Sequence, residues 1–270
     1  MVSVSSLCVG KELLIGKTVN TNAYWMGARL LAAGIMLDRI LTVTDSLPEI
    51  SSGLNELLSR SPDFVIVVGG LGPTPDDMTL RGVAMALGRK VRTDEVALGM
   101  IKDHYARRGL ADIEMTPARR KMAVLPEGST AVLNKIGTAP AVRIERSGTV
   151  IFCLPGVPKE MKITFKRSVE PEIREKVGPL YPSRATMQLE GVYESTLTPA
   201  IAEAMRNHPS AYIKSHPRGL KDGASRVELD AVVTYASKKQ AEKERGEIVA
   251  FFVEKVREAG GKVVGKTISQ

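Results

Sequence analysis

The segment that most constrains the fold is Phe64–Val68, a run of apolar residues that are β-branched after the first. A continuous apolar run of this length predicts a strand covered on both faces, as in parallel sheets flanked by helices. A glycine-rich turn follows, and Thr79–Leu87 then has the apolar spacing of a helix that Gly88 ends. Strand, turn and helix in this order predict an α/β architecture.

The same alternation extends over most of the first 177 residues. The predicted strands are Val2–Val9, Ile35–Val43, Ala141–Glu145 and Thr149–Leu154. The predicted helices are Asn22–Ala33, Leu47–Leu58, Asp94–Arg108 and a long helix at Lys159–Lys176 that contains Pro171. These segments predict a parallel sheet with helices on its faces.

A cluster of helix and strand breakers at 178–182 predicts a domain boundary. The chain has 270 residues, and at ~150 residues per domain this length favours two domains. We therefore expect one domain at residues 1–177 and a second at 183–270. The second reads as strand, helix, strand, strand and helix, which predicts a small α+β unit. Its predicted elements are Arg184–Leu189, Leu197–Asn207, Ala211–Ser215, Arg226–Thr234 and Lys238–Ala259.

Composition excludes several classes of protein. The chain is 43% hydrophobic and 25% charged, which is typical of globular proteins and excludes a disordered or coiled-coil polypeptide. Its net charge of +8 suits anionic small molecules at least as well as nucleic acid. Cys8 and Cys153 lie in separate apolar runs, which predicts buried thiols, with a disulfide between them as the alternative. We expect no membrane segment and a cytoplasmic location.

The sharpest motif is Gly69-Gly-Leu-Gly-Pro-Thr-Pro-Asp-Asp-Met-Thr79, which lies between the buried strand and a helix. Glycines let the backbone approach a ligand, and the positive end of the following helix favours an anion. We therefore expect a phosphate site. Its candidate contacts are Gly69, Gly70, Gly72, Thr74 and Thr79. The motif fits neither a P-loop nor a dinucleotide-binding fingerprint.

Asp76 and Asp77 stand beside these glycines, and Asp45 follows the Ile35–Val43 strand. Mg²⁺ binds through one or two carboxylates together with phosphate oxygens, so Asp45 and Asp77 are candidate metal ligands. Asp76 is a candidate to assist them in holding the metal. The three aspartates are also the candidate catalytic residues, with Asp45 a possible general base. The alternative is helix capping, which aspartate commonly performs.

Three other turns carry candidate ligand contacts. The turn after the first strand contributes Glu12, Asn20 and Asn22, for which capping and solvated roles are the alternatives. The remaining candidates are Gly137, Thr138, Pro155, Gly156, Lys159 and Glu160. Glu160 is a third candidate metal ligand, and Lys159 a candidate phosphate contact. The basic stretch Arg119–Lys121 is interpreted as a solvated helix face rather than a phosphate grip.

These motifs, in this order, resemble the MoaB/Mog (molybdopterin-binding) domain of CinA-like, competence/damage-inducible proteins. The matching segments are Gly10-Lys-Glu-Leu-Leu-Ile-Gly16, Thr21-Asn22, Asp45, the 69–79 motif, Asn134-Lys-Ile-Gly-Thr-Ala-Pro140 and Leu154-Pro-Gly-Val-Pro-Lys-Glu160. The resemblance implies a three-layer α/β/α domain, a homo-oligomer (dimer or trimer) and a KH-like second domain without the deamidase domain of longer relatives. Lys11 stands where many CinA-like proteins have aspartate, which departs from their metal arrangement.

The resemblance implies two activities. In the CinA-like branch it implies metal-dependent cleavage of the diphosphate of ADP-ribose or a related nucleotide, which is our first hypothesis, with Mg²⁺ or another divalent cation as cofactor. In the molybdenum-cofactor branch it implies molybdopterin binding or adenylyl transfer, which is the alternative. RNA binding by the second domain is a further alternative, but Gly219 and Gly223 are too far apart for the Gly-x-x-Gly clamp of a KH domain. Nucleic acid is therefore disfavoured as a partner.

Overall fold

The computed structural model describes residues 2–269, apart from the side chain of Lys221, so Met1 and Gln270 of the two predicted domains lie outside the described residues. The described chain divides into two compact units. One contains the residues up to Leu30 and Ile35–Val177, and the other contains Leu31–Gly34 and the residues from Gly178 onward. No helix within residues 2–269 is long and apolar enough to cross a membrane.

The first unit is built on a six-stranded sheet. Its strands, with two short strands that pair separately, are β1 (Val4–Val9), β2 (Leu37–Val43), β3 (Phe64–Val68), β4 (Val91–Thr93), β5 (Val124–Pro126), β6 (Thr130–Val132), β7 (Ala141–Arg146) and β8 (Thr149–Leu154). The order in the main sheet is β2-β1-β3-β8-β7-β6. Strands β2, β1, β3 and β8 are mutually parallel, whereas β7 and β6 are antiparallel to their neighbours. The predicted α/β class with a parallel-rich sheet is confirmed.

Helices accompany this sheet. They are α1 (Lys11–Leu14), α2 (Thr21–Leu31), α3 (Leu47–Leu58), α4 (Thr79–Leu87), α5 (Glu95–Ala106), α6 (Pro117–Lys121), α7 (Pro158–Thr164) and α8 (Glu170–Val177). Every residue of β1 and β3 is buried. One face of the sheet, with Leu7, Val65 and Val67, shares a core with Ile50 of α3 and Val83 of α4.

The other face of the sheet is covered by the C-terminal helical segment of this unit. The Lys176 ammonium lies 5.8 Å from the centroid of the Phe64 ring, which places α8 against the N-terminal end of β3. Trp25 of α2 and Phe165 meet edge to face, with centroids 5.5 Å apart. Because helices cover both faces, the apolar run at 64–68 has no polar positions.

The single helix predicted at Lys159–Lys176 is wrong in its middle. Helix α7 passes into a π-helical turn at Phe165–Val169 before α8 begins. Pro171 explains the change, because it has no N–H to donate to the carbonyl four residues earlier and its ring excludes that carbonyl. The wider turn admits the proline without ending the helical segment.

The second unit is a four-stranded antiparallel sheet with two helices. The elements are β9 (Tyr181–Glu190), α9 (Glu194–Asn207), β10 (Tyr212–Lys221), β11 (Ala224–Tyr235), α10 (Lys238–Glu258) and β12 (Lys262–Ser269), and the strand order is β10-β11-β9-β12. The small antiparallel unit is confirmed, but β12 was not predicted. Residues 218–223 belong to the β10–β11 hairpin, which accounts for Gly219 and Gly223 as hairpin residues.

Candidate functional site

A cavity of about 240 Å³ lies where the four parallel strands end. Glu12 follows β1, Asp45 follows β2, Gly69 follows β3 and Gly156 follows β8, and all four line this cavity. Open α/β sheets bind ligands at this edge. We name it the acidic cavity. The predicted site residues that line it are Glu12, Asn20, Asn22, Asp45, Gly69, Gly70, Asp76, Asp77 and Gly156.

The glycine turn after β3 is held by its own strand neighbours. Gly69 has φ +107°, and a Cβ there would overlap the carbonyl oxygen of Val9. Its N–H donates to the Leu154 carbonyl at 3.0 Å, and the Thr79 hydroxyl donates to the Gly69 carbonyl at 2.7 Å. Thr79 is fully buried, so its predicted ligand contact is replaced by this structural role, and Met78 occupies the N-cap of α4.

The three aspartates are partly engaged within the chain. Asp45 Oδ2 accepts a hydrogen bond from the Lys11 N–H at 2.7 Å. Asp77 Oδ2 accepts from the Thr74 N–H at 2.8 Å and from the Thr74 hydroxyl at 2.6 Å. The Thr74 hydroxyl also contacts Asp76 Oδ1. Thr74 therefore orients the two carboxylates, and its donors are turned toward them rather than toward a phosphate.

Asp76 is anionic at neutral pH. The hydrogen bond from Thr74 lowers the pKa of the Asp76 carboxyl, with smaller contributions from its own backbone N–H and from the charge of Lys121. Because no Lys or Arg is among the described residues that line the acidic cavity, Glu12, Asp45, Asp76 and Asp77 give it a negative potential.

The start of α2 supplies amide groups to the same cavity. Asn20 Oδ1 accepts from the Ala23 N–H at 3.0 Å, so Asn20 caps the helix as the alternative interpretation held. The Asn22 side chain donates to the Gly156 carbonyl at 2.7 Å, and its Oδ1 is buried without a hydrogen-bond partner. This amide therefore ties the start of α2 to the turn after β8.

Cys8 is a cavity residue that the sequence interpretation did not include. It is buried near the end of β1, and it lines the acidic cavity. Burial raises the pKa of its thiol, against hydrogen bonds with Asn20 and Ser6 that lower it. Cys8 stands two residues before Gly10, at the end of a predicted parallel strand, and this position in the sequence would have predicted that it lies at the cavity. Cys8 and Cys153 are both free, so the predicted buried thiols are present and the disulfide alternative is wrong.

Glu160 is not brought to the other acids. Its Oε2 accepts from Asn134 Nδ2 at 2.8 Å, and the Gly137 N–H donates to Asn134 Oδ1 at 2.9 Å. The carboxylate of Glu160 thus packs against the Asn134–Gly137 turn and does not line the acidic cavity. The other predicted contacts outside the lining are Gly72, Thr74, Thr79, Gly137, Thr138, Pro155 and Lys159.

The donor set for a metal is therefore smaller than expected. Asp45 and Asp77 share the cavity, but within residues 2–269 no group of three His, Cys, Asp or Glu side chains is placed to hold a metal ion. Two carboxylates fit Mg²⁺ only where phosphate oxygens and water complete its shell. A cation would therefore bind in this cavity only together with a ligand that supplies phosphate oxygens.

A second cavity, of about 580 Å³, adjoins the acidic cavity, with which it shares the lining residues Gly70 and Asp77. We name it the cationic cavity, because its charged lining residues other than Asp77 are Arg81, Arg120 and Lys121. The remaining lining residues are Leu71, Gly72, Leu80, Val91, Pro117 and Val124. Two of the three residues interpreted as a solvated basic face, Arg120 and Lys121, line this cavity, and Arg120 is exposed as the interpretation expects.

Lys121 is tied to the glycine turn. Its ammonium contacts the Thr74 carbonyl, and burial lowers the pKa of this ammonium while the charges of Asp77 and Asp76 oppose the shift. Arg119 behaves differently, because it donates to the Glu114 carbonyl at 2.5 Å and lies 5.3 Å over the Tyr105 ring. Arg119 does not line the cavity.

The sequence profile of a family described as "Probable molybdopterin binding domain" matches residues 5–175. The chain belongs to this family. Both cavities lie within the matched residues, so they are features of a molybdopterin-binding-type domain. The predicted resemblance to the MoaB/Mog domain of CinA-like proteins is confirmed.

Two relatives match most of the chain, and one solved structure matches 63% of it. A protein from Pyrobaculum arsenaticum is 40% identical over 236 residues, which are 87% of this chain and 88% of the relative. One from Aeropyrum pernix is 39% identical over 257 residues, or 95% of this chain and 94% of the relative. The crystal structure of CinA, of unknown function, from Thermoplasma acidophilum has a TM-score of 0.57 at 40% identity and covers 63% of this chain and 98% of that one.

Proposed function

We propose that this protein binds a molybdopterin-type ligand, a pterin that carries a phosphate, at the glycine turn. The observation that carries the proposal is the convergence of the 69–70 glycine turn with Asp45, Asp76 and Asp77 on one cavity. The family profile supports it, because its description names molybdopterin.

The charge of the acidic cavity sets a condition on binding. Four carboxylates would repel a phosphate, so we propose that a divalent cation such as Mg²⁺ binds together with the ligand. Asp45 and Asp77 would hold the cation, which neutralises the phosphate charge when bound. The residues of the chain position the ligand. Thr74 fixes the orientation of Asp77.

The second candidate function is hydrolysis of ADP-ribose or a related nucleoside diphosphate. The paired Asp76 and Asp77 beside the glycine turn favour it, since this arrangement suits a cation on a diphosphate. The reaction would add one water across the P–O–P bond and release AMP and ribose 5-phosphate. A third candidate is adenylyl transfer, in which the phosphate of the pterin ligand attacks the α-phosphorus of ATP and pyrophosphate is released; it would use the same carboxylates.

The test is calorimetry of the purified protein with molybdopterin and with ADP-ribose, each with and without Mg²⁺. We expect molybdopterin to bind more tightly, with an affinity that Mg²⁺ increases. Asp77→Asn should remove the Mg²⁺ effect, because the amide keeps an oxygen for the Thr74 donors but loses the charge. Asp112→Asn, at an exposed position, is the matched control. Preferential ADP-ribose affinity with release of AMP would overturn the proposal in favour of the hydrolase.

Oligomeric state and location are separate proposals. A dimer or trimer follows from the resemblance, and light scattering of the purified protein at two concentrations measures it directly. The cytoplasmic location likewise remains a prediction, which fractionation of the source cells would test.

A further inference from the structure

The acidic cavity is small for the ligand proposed above. Its volume of about 240 Å³ is below the ~300–1,000 Å³ usual for small-molecule sites. The cationic cavity, of about 580 Å³, lies within that range. The two share Gly70 and Asp77 in their linings, so they adjoin at the glycine turn.

The linings of the two cavities are chemically complementary. The acidic cavity has four carboxylates and needs a cation before it accepts a phosphate. The cationic cavity has a wall of Leu71, Leu80, Val91 and Val124, with arginine and lysine groups beside it. An apolar wall accepts the face of a flat ring, and guanidinium groups bind phosphate or stack on rings.

We propose that the cationic cavity is a second subsite for the same ligand and recognises the ring end of a ring-bearing organic phosphate. The ring lies against the apolar wall, and Arg81, Arg120 and Lys121 compensate the phosphate charge at the Gly70 turn. This inference rests on the proposed function. It adds the ring-recognising and charge-compensating residues, which the family description does not assign.

Adjacent arginines on α6 provide a matched pair for the test. Arg119 and Arg120 each donate to a backbone carbonyl five residues earlier, of Glu114 and Met115 respectively. Only Arg120 lines the cavity. Arg119→Gln and Arg120→Gln therefore remove the same charge from the same short helix, and they differ in access to the proposed subsite.

The experiment titrates wild type, R119Q, R120Q and R81Q with molybdopterin and with ADP-ribose in the presence of Mg²⁺. For whichever compound wild type binds, we expect R120Q and R81Q each to weaken affinity about tenfold, as for a lost charge-assisted hydrogen bond, and R119Q to stay within about twofold. Inorganic pyrophosphate, which has no ring, should bind wild type at least about tenfold more weakly than the ring-bearing compound.

Each other outcome overturns the inference. Equal losses for R119Q and R120Q would show a general charge effect, and wild-type affinity in R120Q would show that the cavity is not used. Pyrophosphate binding as tight as that of the ring-bearing compound would exclude the ring subsite. If wild type binds neither molybdopterin nor ADP-ribose, both the proposed function and this inference fail. The other outcomes overturn the subsite alone, because wild type still binds one of the two compounds.

Discussion

The side-chain amide of Asn22 donates a hydrogen bond to the backbone carbonyl of Gly156 at 2.7 Å, joining the start of α2 to the turn after β8. The two residues are 134 positions apart in the chain. The bond lies on the wall of the acidic cavity, so it fixes the distance between two turns that the ligand would contact together.

Asn22→Ala should therefore weaken both the fold and the site. The Gly156 carbonyl loses its partner, and we expect a loss of about 1 kcal/mol in the free energy of unfolding, together with weaker molybdopterin binding. Urea denaturation and calorimetry measure the two effects. Asn55→Ala, on the exposed face of α3, should change stability by no more than about 0.5 kcal/mol. Equal stability of N22A and wild type would show that the bond does not hold the two turns.

The glycine turn gives a second prediction. Gly69→Ala should destabilise the protein by about 3 kcal/mol or more, because φ is +107° and the new Cβ would overlap the Val9 carbonyl. Gly99→Ala is the opposite case. Gly99 is in α5 with no atom close to the position of a Cβ, so alanine should stabilise by about 0.5–1 kcal/mol. Thermal denaturation shows whether each variant is less or more stable than wild type. Wild-type stability in G69A would contradict the steric argument.

The strongest local patterns located their elements to the residue. Phe64–Val68, Leu47–Leu58, Thr79–Leu87 and Thr149–Leu154 have the bounds that the sequence predicts. The two strands are nearly continuous apolar runs, and the two helices keep helical apolar spacing throughout. Residues that break the pattern mark their ends, such as Gly88 in the left-handed conformation at φ +63°. The polar turns after successive parallel strands then had to meet at one edge, and this placed Asp45 and Asp77 on the same cavity.

What the sequence did not predict depends on tertiary contacts. Strand β12 alternates weakly and is mostly exposed, so it is defined by pairing with β9 rather than by its own pattern. Strands β4 and β5 have three residues each. Glu160 follows a parallel strand as Asp45 does, yet Asn134 binds its carboxylate away from the cavity. Side-chain direction at a helix start is set by such neighbours, which one motif does not reveal.

Acid pH should destabilise the second unit through Asp230. Burial would raise the pKa of this carboxyl, but hydrogen bonds from Thr186 and Arg184, at 2.6 and 2.9 Å, hold it below its ordinary value. Because the folded pKa is depressed, the stabilisation is complete above the unfolded pKa of about 3.9 and is lost as pH falls through the folded value.

Asp230→Asn should therefore lower stability by about 1–3 kcal/mol at pH 7 and reduce the dependence on pH in the acid range below about pH 4. Urea unfolding over a pH series measures both effects. Glu228→Gln, on the same strand, removes an ion pair with the exposed Arg218 and should cost less than about 1 kcal/mol. If the free energy of unfolding of D230N fell as steeply below about pH 4 as that of wild type, Asp230 would not be the cause of the acid destabilisation.

The two thiols should be unreactive in the folded protein. Burial raises the pKa of Cys153 to about 12 and also raises that of Cys8, so neither forms much thiolate near neutral pH. Cys8 is the sharper case, because it lines the acidic cavity yet is only 1% exposed. Iodoacetamide at about pH 8 should modify neither cysteine before unfolding and both in concentrated guanidinium chloride, as read by mass spectrometry of peptides. Rapid modification of Cys8 alone would show that the wall of the cavity opens around β1, and bound ligand should then slow the reaction.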